Sequence, residues 1–318
     1  MAGVVIDAVR RHVLRRPLAG EAVVLLYHRV TPGQPAEGGM SVSPAAFDEH
    51  LSALRARFRP LHLAELVQAL TDRVLPRRSV VITFDDGYVD NLTEAKPLLE
   101  RHGVPATVFV VSGYVGSGQR FWMDELWRIC LAPPRLPDRL ELKVGGETRT
   151  WRVPAGAGRR DLYRMLRDTL GSLGQQERDE LLTELGAWGG AGPPDAAETL
   201  DADQLRQLAD GELIEIGAHT MTHPFLPSVP RKRQLEEIRG SVRQLEELLD
   251  RDIRLFSYPF GAHDRTTVAQ ARYAGVTCAC TTVGAAVHAS TDPYRLPRLS
   301  VHEWSGEELV EKVASRLG

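Results

Sequence analysis

Apolar positions follow two periods along this chain. Ala22–Tyr27, Val80–Ile82, Pro105–Val111, Leu213–Ile216, Arg254–Tyr258 and Val276–Thr282 are short runs rich in branched side chains. Unbroken runs of that length read as strands buried on both faces. Between them the period lengthens. Phe47, Leu51, Leu54 and Phe58 recur at helical spacing after Ser43-Pro44, a good helix start with serine as cap and proline in the first turn. Further helices are expected near 63–70, at 91–102 (stopped by Gly103), and at 201–210, 230–250 and 264–274. A strand–helix–strand succession implies parallel pairing through helical crossovers. With a last strand expected near Tyr294–Leu299 there are about seven. The expected fold is α/β, a distorted and incompletely closed (β/α)7-type barrel.

Residues 114–198 break the rhythm. Phe121–Cys130 looks helical, Leu140–Val144 and Thr148–Val153 flank Gly145-Gly146 as a hairpin, and two polar helices follow near 159–170 and 175–186. This stretch reads as an α+β insertion on a barrel made of 21–113 and 199–318, with 1–20 as an N-terminal extension. Val4, Val5, Ala8, His12 and Val13 of that extension fall near one face of a helix.

Composition narrows the function more than the fold. The chain has 318 residues, 43% hydrophobic and 25% charged, an ordinary globular balance. A net charge of −3 gives no reason to expect nucleic acid as a partner. The longest early apolar run, Ala22–Tyr27, is too short to span a bilayer. Arginines 10, 11, 15 and 16 are not followed by the apolar stretch of a secretory signal, and the cysteine count is odd at three. A cytoplasmic, reduced protein is the expectation, and the oligomeric state is left open. Cys278 and Cys280 alternate on a strand and read as small buried hydrophobes. No phosphate loop and no Gly-x-Gly-x-x-Gly after a strand is present, so nucleotide chemistry is not supported.

The candidate chemistry gathers at strand ends, where barrels carry their active sites. Asp85 and Asp86 follow the Val80–Ile82 run at once, and Gly87 permits a sharp turn. Alone, Asp-Asp-Gly is a common turn. His219 and His223 follow another strand, and on a helical turn that spacing puts both imidazoles on one side. Alone, such a pair is often structural. Together, two histidines and a carboxylate with open positions describe a catalytic metal site.

Thr83-Phe84-Asp85-Asp86-Gly87, His219-Thr220-Met221-Thr222-His223 and Tyr258-Pro259-Phe260-Gly261, in this order, resemble the first three motifs of the NodB-type polysaccharide deacetylases, carbohydrate esterase family four. The resemblance covers roughly 22–113 and 200–300. It implies that Asp86, His219 and His223 bind a divalent metal, most readily Zn2+, with Co2+, Mn2+, Fe2+ or Ni2+ as alternatives. It implies Asp85 as general base and the Phe260 backbone N–H as oxyanion donor, Pro259 having none. The implied substrate is an N-acetylated saccharide or glycoconjugate, which loses its acetyl group.

Two positions depart from the family pattern. The arginine that often opens the third motif is replaced by Ser257, and Arg298 or Arg295 is the expected substitute for orienting Asp85. The final Leu-x-His motif is poorly matched by Leu299-Ser-Val-His302. His28, ending the first strand, is therefore the better candidate to protonate the leaving amine. His28 as a pocket-wall residue and His302 as that acid are the alternatives. Trp122, Asp124, Tyr258 and Pro259 are candidates to contact the sugar, although Trp122 and Asp124 also fit an amphipathic helix packed on the barrel. Two other functions fit the same residues: an amide or formyl hydrolase acting on a small intracellular molecule, and an inactive carbohydrate-binding barrel.

Overall fold

The computed structural model describes residues 20–31, 41–118, 120–153, 156–191 and 198–317. The N-terminal extension, most of the Thr31–Gly39 loop and the end of the 189–194 loop lie outside them. The chain alternates as expected through β1 (Glu21–Tyr27), α1 (Pro44–Arg57), α2 (Leu63–Thr71), β2 (Ser79–Phe84), α3 (Lys96–His102) and β3 (Ala106–Val110). Ser43 accepts from the Ala46 N–H at the start of α1, and Gly103 adopts the left-handed cap after α3. The first turn before α3, Asn91–Ala95, is π-helical.

The insertion then contributes α4 (Trp122–Leu131), the antiparallel hairpin β4 (Arg139–Val144) and β5 (Glu147–Arg152), α5 (Arg159–Gly171) and α6 (Gln175–Gly189). These elements share an apolar core of their own, with Trp122, Leu126, Ile129, Leu142, Leu166 and Leu185 among its members. The alternation resumes with α7 (Ala202–Leu208), β6 (Ile214–Ala218), α8 (Arg231–Leu249), β7 (Leu255–Ser257), α9 (Arg265–Ala274) and β8 (Cys278–Cys280). Asp201 and Asp264 cap α7 and α9.

The principal sheet runs β8-β7-β6-β3-β2-β1 with every pair parallel. Its strands are buried on both faces, as their unbroken apolar runs require. β9 (Val287–His288) adds antiparallel at the start of β1. The expected final strand is much shorter than its sequence suggests. Pro293–Arg295 forms a 3-10 turn, and only β10 (Leu299–Ser300) is strand, parallel to Leu25 and Leu26 of β1. Proline cannot donate to a ladder, and Pro293 and Pro297 interrupt this segment. Leu296 still bridges Cys280 of β8. The stretch from Leu296 to Ser300 therefore crosses the gap between the first and last parallel strands, and Arg298 sits in its middle. The sequence pattern did not announce the C-terminal helix α10 (Gly306–Ala314), which Ser305 and Glu308 cap reciprocally.

Candidate active site

β1 and β2 end level, with Tyr27 opposite Phe84, and the Asp85 N–H donates to the Tyr27 carbonyl at 3.0 Å. The chain then turns sharply. Asp86 and Gly87 both have positive φ, +80° and +76°. A Cβ at Gly87 would lie 3.1 Å from a Val110 methyl, so glycine answers both the conformation and the space. This turn leaves both carboxylates at the C-terminal end of the sheet.

Asp85 is gripped by Arg298. Both guanidinium Nη atoms donate to the carboxylate, each at 2.7 Å, and both side chains are buried. Arg298 Nε donates to the Thr281 carbonyl at 2.8 Å, and its Nη2 also reaches Ser257 Oγ at 2.9 Å. Ser257 Oγ in turn donates to Asp85 at 3.2 Å. A planar fork on a carboxylate is the strongest form of this pairing. Burial alone would raise the Asp85 pKa, but the Arg298 charge, with His219, more than offsets it and holds the carboxyl far below its usual range. Arg295, the other expected substitute, is exposed.

The histidines arrive on a different support. His219 follows β6, donates its N–H to the Val110 carbonyl, and pairs its Nδ1 with the Ser257 carbonyl at 2.8 Å. Nδ1 is therefore the protonated nitrogen, and the Nε2 lone pair faces Asp86 Oδ1 at 3.5 Å. His223 Nε2 lies 3.6 Å from the same oxygen. The expected helical turn between them is absent. Thr220 and His223 have φ of +67° and +52°, which no helix accommodates. An irregular loop brings the imidazoles together instead, their rings 4.9 Å apart.

That loop is tied down at almost every peptide. Ser112 and Gly113 donate to the Thr220 and Met221 carbonyls. The buried Glu237 of α8 accepts from the N–H groups of Met221 and Thr222 and from Thr222 Oγ1. Arg178 of α6 donates to the Thr222 carbonyl at 2.9 Å. Backbone in such conformations persists only where its surroundings over-determine it.

Asp86, His219 and His223 offer ligand atoms that all lie within 4.8 Å of one another, and all three are buried. Asp86 Oδ2 has no hydrogen-bond partner among the described residues. Burial, with the His219 and Arg178 charges, pushes His223 down to about 3, so its ring is neutral. Burial lowers His219 as well, but Asp85 and Asp86 outweigh it and draw its pKa up. A position that attracts a proton between carboxylates attracts a divalent cation for the same reason. Two imidazoles and one carboxylate fit such an ion.

A cavity of about 420 Å³ opens onto this cluster. His28 and His302 both line it with Asp85 and Asp86. Phe260 does too, at a φ of +60°, its ring centroid 4.7 Å from that of His223. The four expected sugar contacts are not brought to this cavity. Trp122 is 1% exposed, on the apolar face that α4 turns into the insertion core. Asp124 accepts from the Tyr88 hydroxyl at 2.9 Å, and burial pushes its pKa up to about 7. Tyr258 is buried and donates to the Tyr294 carbonyl, and Pro259 is buried beside it. The insertion lines the cavity with other residues: Met123 of α4, and Tyr163, Arg167 and Asp168 of α5. A faint signal for these existed. Leu162, Leu166 and Leu170 mark the buried stripe of α5, so Tyr163 and Arg167 flank it.

Comparison with known proteins bears on the family and the fold. The polysaccharide deacetylase family matches residues 72–133 and 185–279. The polysaccharide deacetylase candidate YxkH of Bacillus subtilis (strain 168) is 30% identical over 105 residues, 32% of this chain and 36% of that one. The poly-beta-1,6-N-acetyl-D-glucosamine N-deacetylase of Escherichia coli (strain K12) is 32% identical over 97 residues, 30% of this chain and 14% of the enzyme. The alignments thus span about a third or less of these relatives. The Streptococcus pyogenes deacetylase PplD, solved with acetate, shares the fold with a TM-score of 0.63 over 93% of this chain and 99% of its own, at 20% identity. By its motifs, its matched segments and its barrel, the chain belongs to the NodB-type polysaccharide deacetylase family.

Proposed function

We propose that this chain is a metal-dependent hydrolase that removes the N-acetyl group from an amino sugar in a saccharide or glycoconjugate. The observation that carries the reading is the buried Asp86–His219–His223 cluster beside a second carboxylate, Asp85, kept ionised by Arg298. Asp86, His219 and His223 would hold the ion, Zn2+ being the best match to two imidazoles and a carboxylate. When bound, a divalent ion supplies Lewis acidity toward a carbonyl oxygen and acidifies water.

The chain's own residues do the rest. Asp85 accepts the proton of the attacking water, and Arg298 and Ser257 fix the direction in which its oxygens face. The Phe260 N–H, held in an unusual backbone conformation at the cavity wall, donates to the oxyanion that forms from the acetamide. One such donor is worth about 10²–10³ in rate. His28, at the end of β1, gives the departing amine its proton. Tyr163 and Phe225 offer ring faces to a sugar at the cavity wall, and Arg167 offers donors. The name of the Escherichia coli relative motivates a polymer of N-acetylglucosamine as the first substrate to try.

Acetate release from N-acetylglucosamine oligomers tests this reading. The metal-stripped chain is expected to be inactive and to recover on addition of Zn2+ or Co2+. Full activity in a preparation shown metal-free by elemental analysis overturns it. Formate measured in parallel identifies a deformylase instead.

A further inference from the structure

Arg178 is a fully buried cation on α6 of the insertion, far in sequence from every family motif. Its Nη2 donates to the Thr222 carbonyl at 2.9 Å, and its guanidinium lies over the Trp122 ring, 5.1 Å from the centroid. Its Nε and Nη1 have no hydrogen-bond partner among the described residues. Burying an arginine without a paired carboxylate is expensive, and desolvation lowers the Arg178 pKa. Packing alone would favour an apolar side chain there. Besides its stacking on Trp122, what the arginine adds is one hydrogen bond, and that bond falls on the peptide joining Thr222 to His223.

The same peptide is held at its other end. The His223 N–H donates to Thr220 Oγ1 at 3.0 Å. One residue earlier, Glu237 takes the Met221 and Thr222 N–H groups. Thus α8 holds the donors of the loop and α6 holds the carbonyl, with His223 at a φ of +52° immediately after. If that carbonyl is released, the peptide can rotate and His223 can relax toward an ordinary conformation, carrying its imidazole away from Asp86.

We infer that Arg178 is a positioning residue for the metal centre, through which the insertion sets the orientation of His223, and that Trp122 is the seat on which Arg178 rests. This inference rests on the metal reading above. It also gives Trp122 a role that does not involve sugar.

The test measures metal affinity directly, by competition with a chromophoric chelator, on the full chain. Wild type, His223→Ala, Arg178→Met and Arg178→Lys are compared, with the melting transition of each metal-free protein recorded alongside. Arg178→Met keeps the length and apolar stem of the side chain. Loss of a group that orients a metal ligand typically costs about 10–100-fold in affinity. That is the loss expected for Arg178→Met, together with a metal-free melting transition that is retained. Arg178→Lys, still able to reach the carbonyl with one donor, is expected to recover part of it. Wild-type affinity in a folded Arg178→Met overturns the inference. Should Arg178→Met not fold, Arg178→Lys decides: wild-type affinity there overturns it as well. If wild type and His223→Ala bind metal equally, the metal reading itself fails, and that result is distinct from the first.

Discussion

Asp85 and His223 line one cavity but are held there by opposite means. Asp85 follows directly from two paired parallel strands, and a buried guanidinium fixes it by charge: Arg298 takes both oxygens while its own Nε is anchored to the Thr281 carbonyl. Among the described residues, His223 has no such guanidinium partner. Its place is set by backbone, through a loop with two left-handed residues whose peptides are pinned by Glu237 and Arg178 from two separate helices. The difference follows from the task of each group. A base needs a fixed direction and an ionised state, which a bidentate arginine gives at once. A neutral imidazole gains little from a charged neighbour, so orientation has to come through the main chain.

The largest effect is expected at the first of these supports. Asp85→Asn removes the proton acceptor while leaving Asp86, His219 and His223 in place. It should lower kcat by about 10²–10⁴ with metal content unchanged by elemental analysis. A variant that loses its metal in step with its activity would show that Asp85 is a ligand and would erase the proposed contrast between the two carboxylates.

Arg298→Met tests the clamp through stability. It leaves Asp85 buried without its partner, and breaking such a pair costs about 3–5 kcal/mol. The cost should depend on pH. In wild type the Asp85 pKa is depressed, so its contribution to stability is complete above the ordinary carboxylate value near 4 and is lost only as pH falls through the depressed value. Without Arg298, burial dominates and the pKa rises, so the variant loses stability as pH rises through and above about 4. The gap between the two metal-free proteins in urea unfolding should therefore widen from pH 3 to 6. A constant gap would mean that Arg298 acts by packing alone. Arg295→Ala, at an exposed site, is the control expected to change neither stability nor rate.

Legibility in the sequence divides along the same line. The strands, the caps at Ser43, Asp201 and Asp264, and the pairing of Asp-Asp with two histidines are local patterns, and local patterns survive in a string of letters. Arg298 was one of two candidates. A strand was expected over Tyr294–Leu299, but choosing Arg298 over Arg295 required knowing that its first half is a 3-10 turn with Arg295 exposed, and that Leu296–Ser300 bridges β8 and β1. Glu237 and Arg178 were invisible. Arg233 and Glu237 are four apart on α8 and pair at the level of side chains, which reads as an ordinary solvated face. Arg178 lies in the polar opening of its helix, ahead of the apolar Leu181, Leu182 and Leu185 that mark its buried face. A buried charge carries no mark in sequence when its partner is a backbone carbonyl contributed by another segment. Trp122 shows the converse: an aromatic at the start of the insertion fitted both a sugar contact and an amphipathic helix, and the apolar stripe of α4 turns it inward.

Glu237→Gln addresses the histidine side with a smaller expected loss. Glutamine keeps the size and one acceptor oxygen, so part of the grip on Met221 and Thr222 survives. Hydrogen bonds to a charged group contribute about 1.5–3 kcal/mol, and that range bounds the drop in unfolding free energy. Because the loop carries His223, metal affinity should fall too, while the Asp85 clamp and its pH signature stay as in wild type. A pH profile altered like that of Arg298→Met would mean that the two supports are one network.

The smallest effect is expected at the rim. Phe225 is 40% exposed, lines the cavity, and lies 6.1 Å from Phe260 centroid to centroid. If its ring face carries sugar, Phe225→Ala removes binding that substrate and transition state share, so KM should rise several-fold with kcat unchanged. An aromatic contact contributes about 0.5–1.5 kcal/mol beyond its buried area, consistent with a change of that size. Should kcat fall while KM holds, Phe225 would instead be steadying Phe260 and its N–H. The rim would then belong to the catalytic machinery, and the histidine side of the cavity would reach further than its metal ligands.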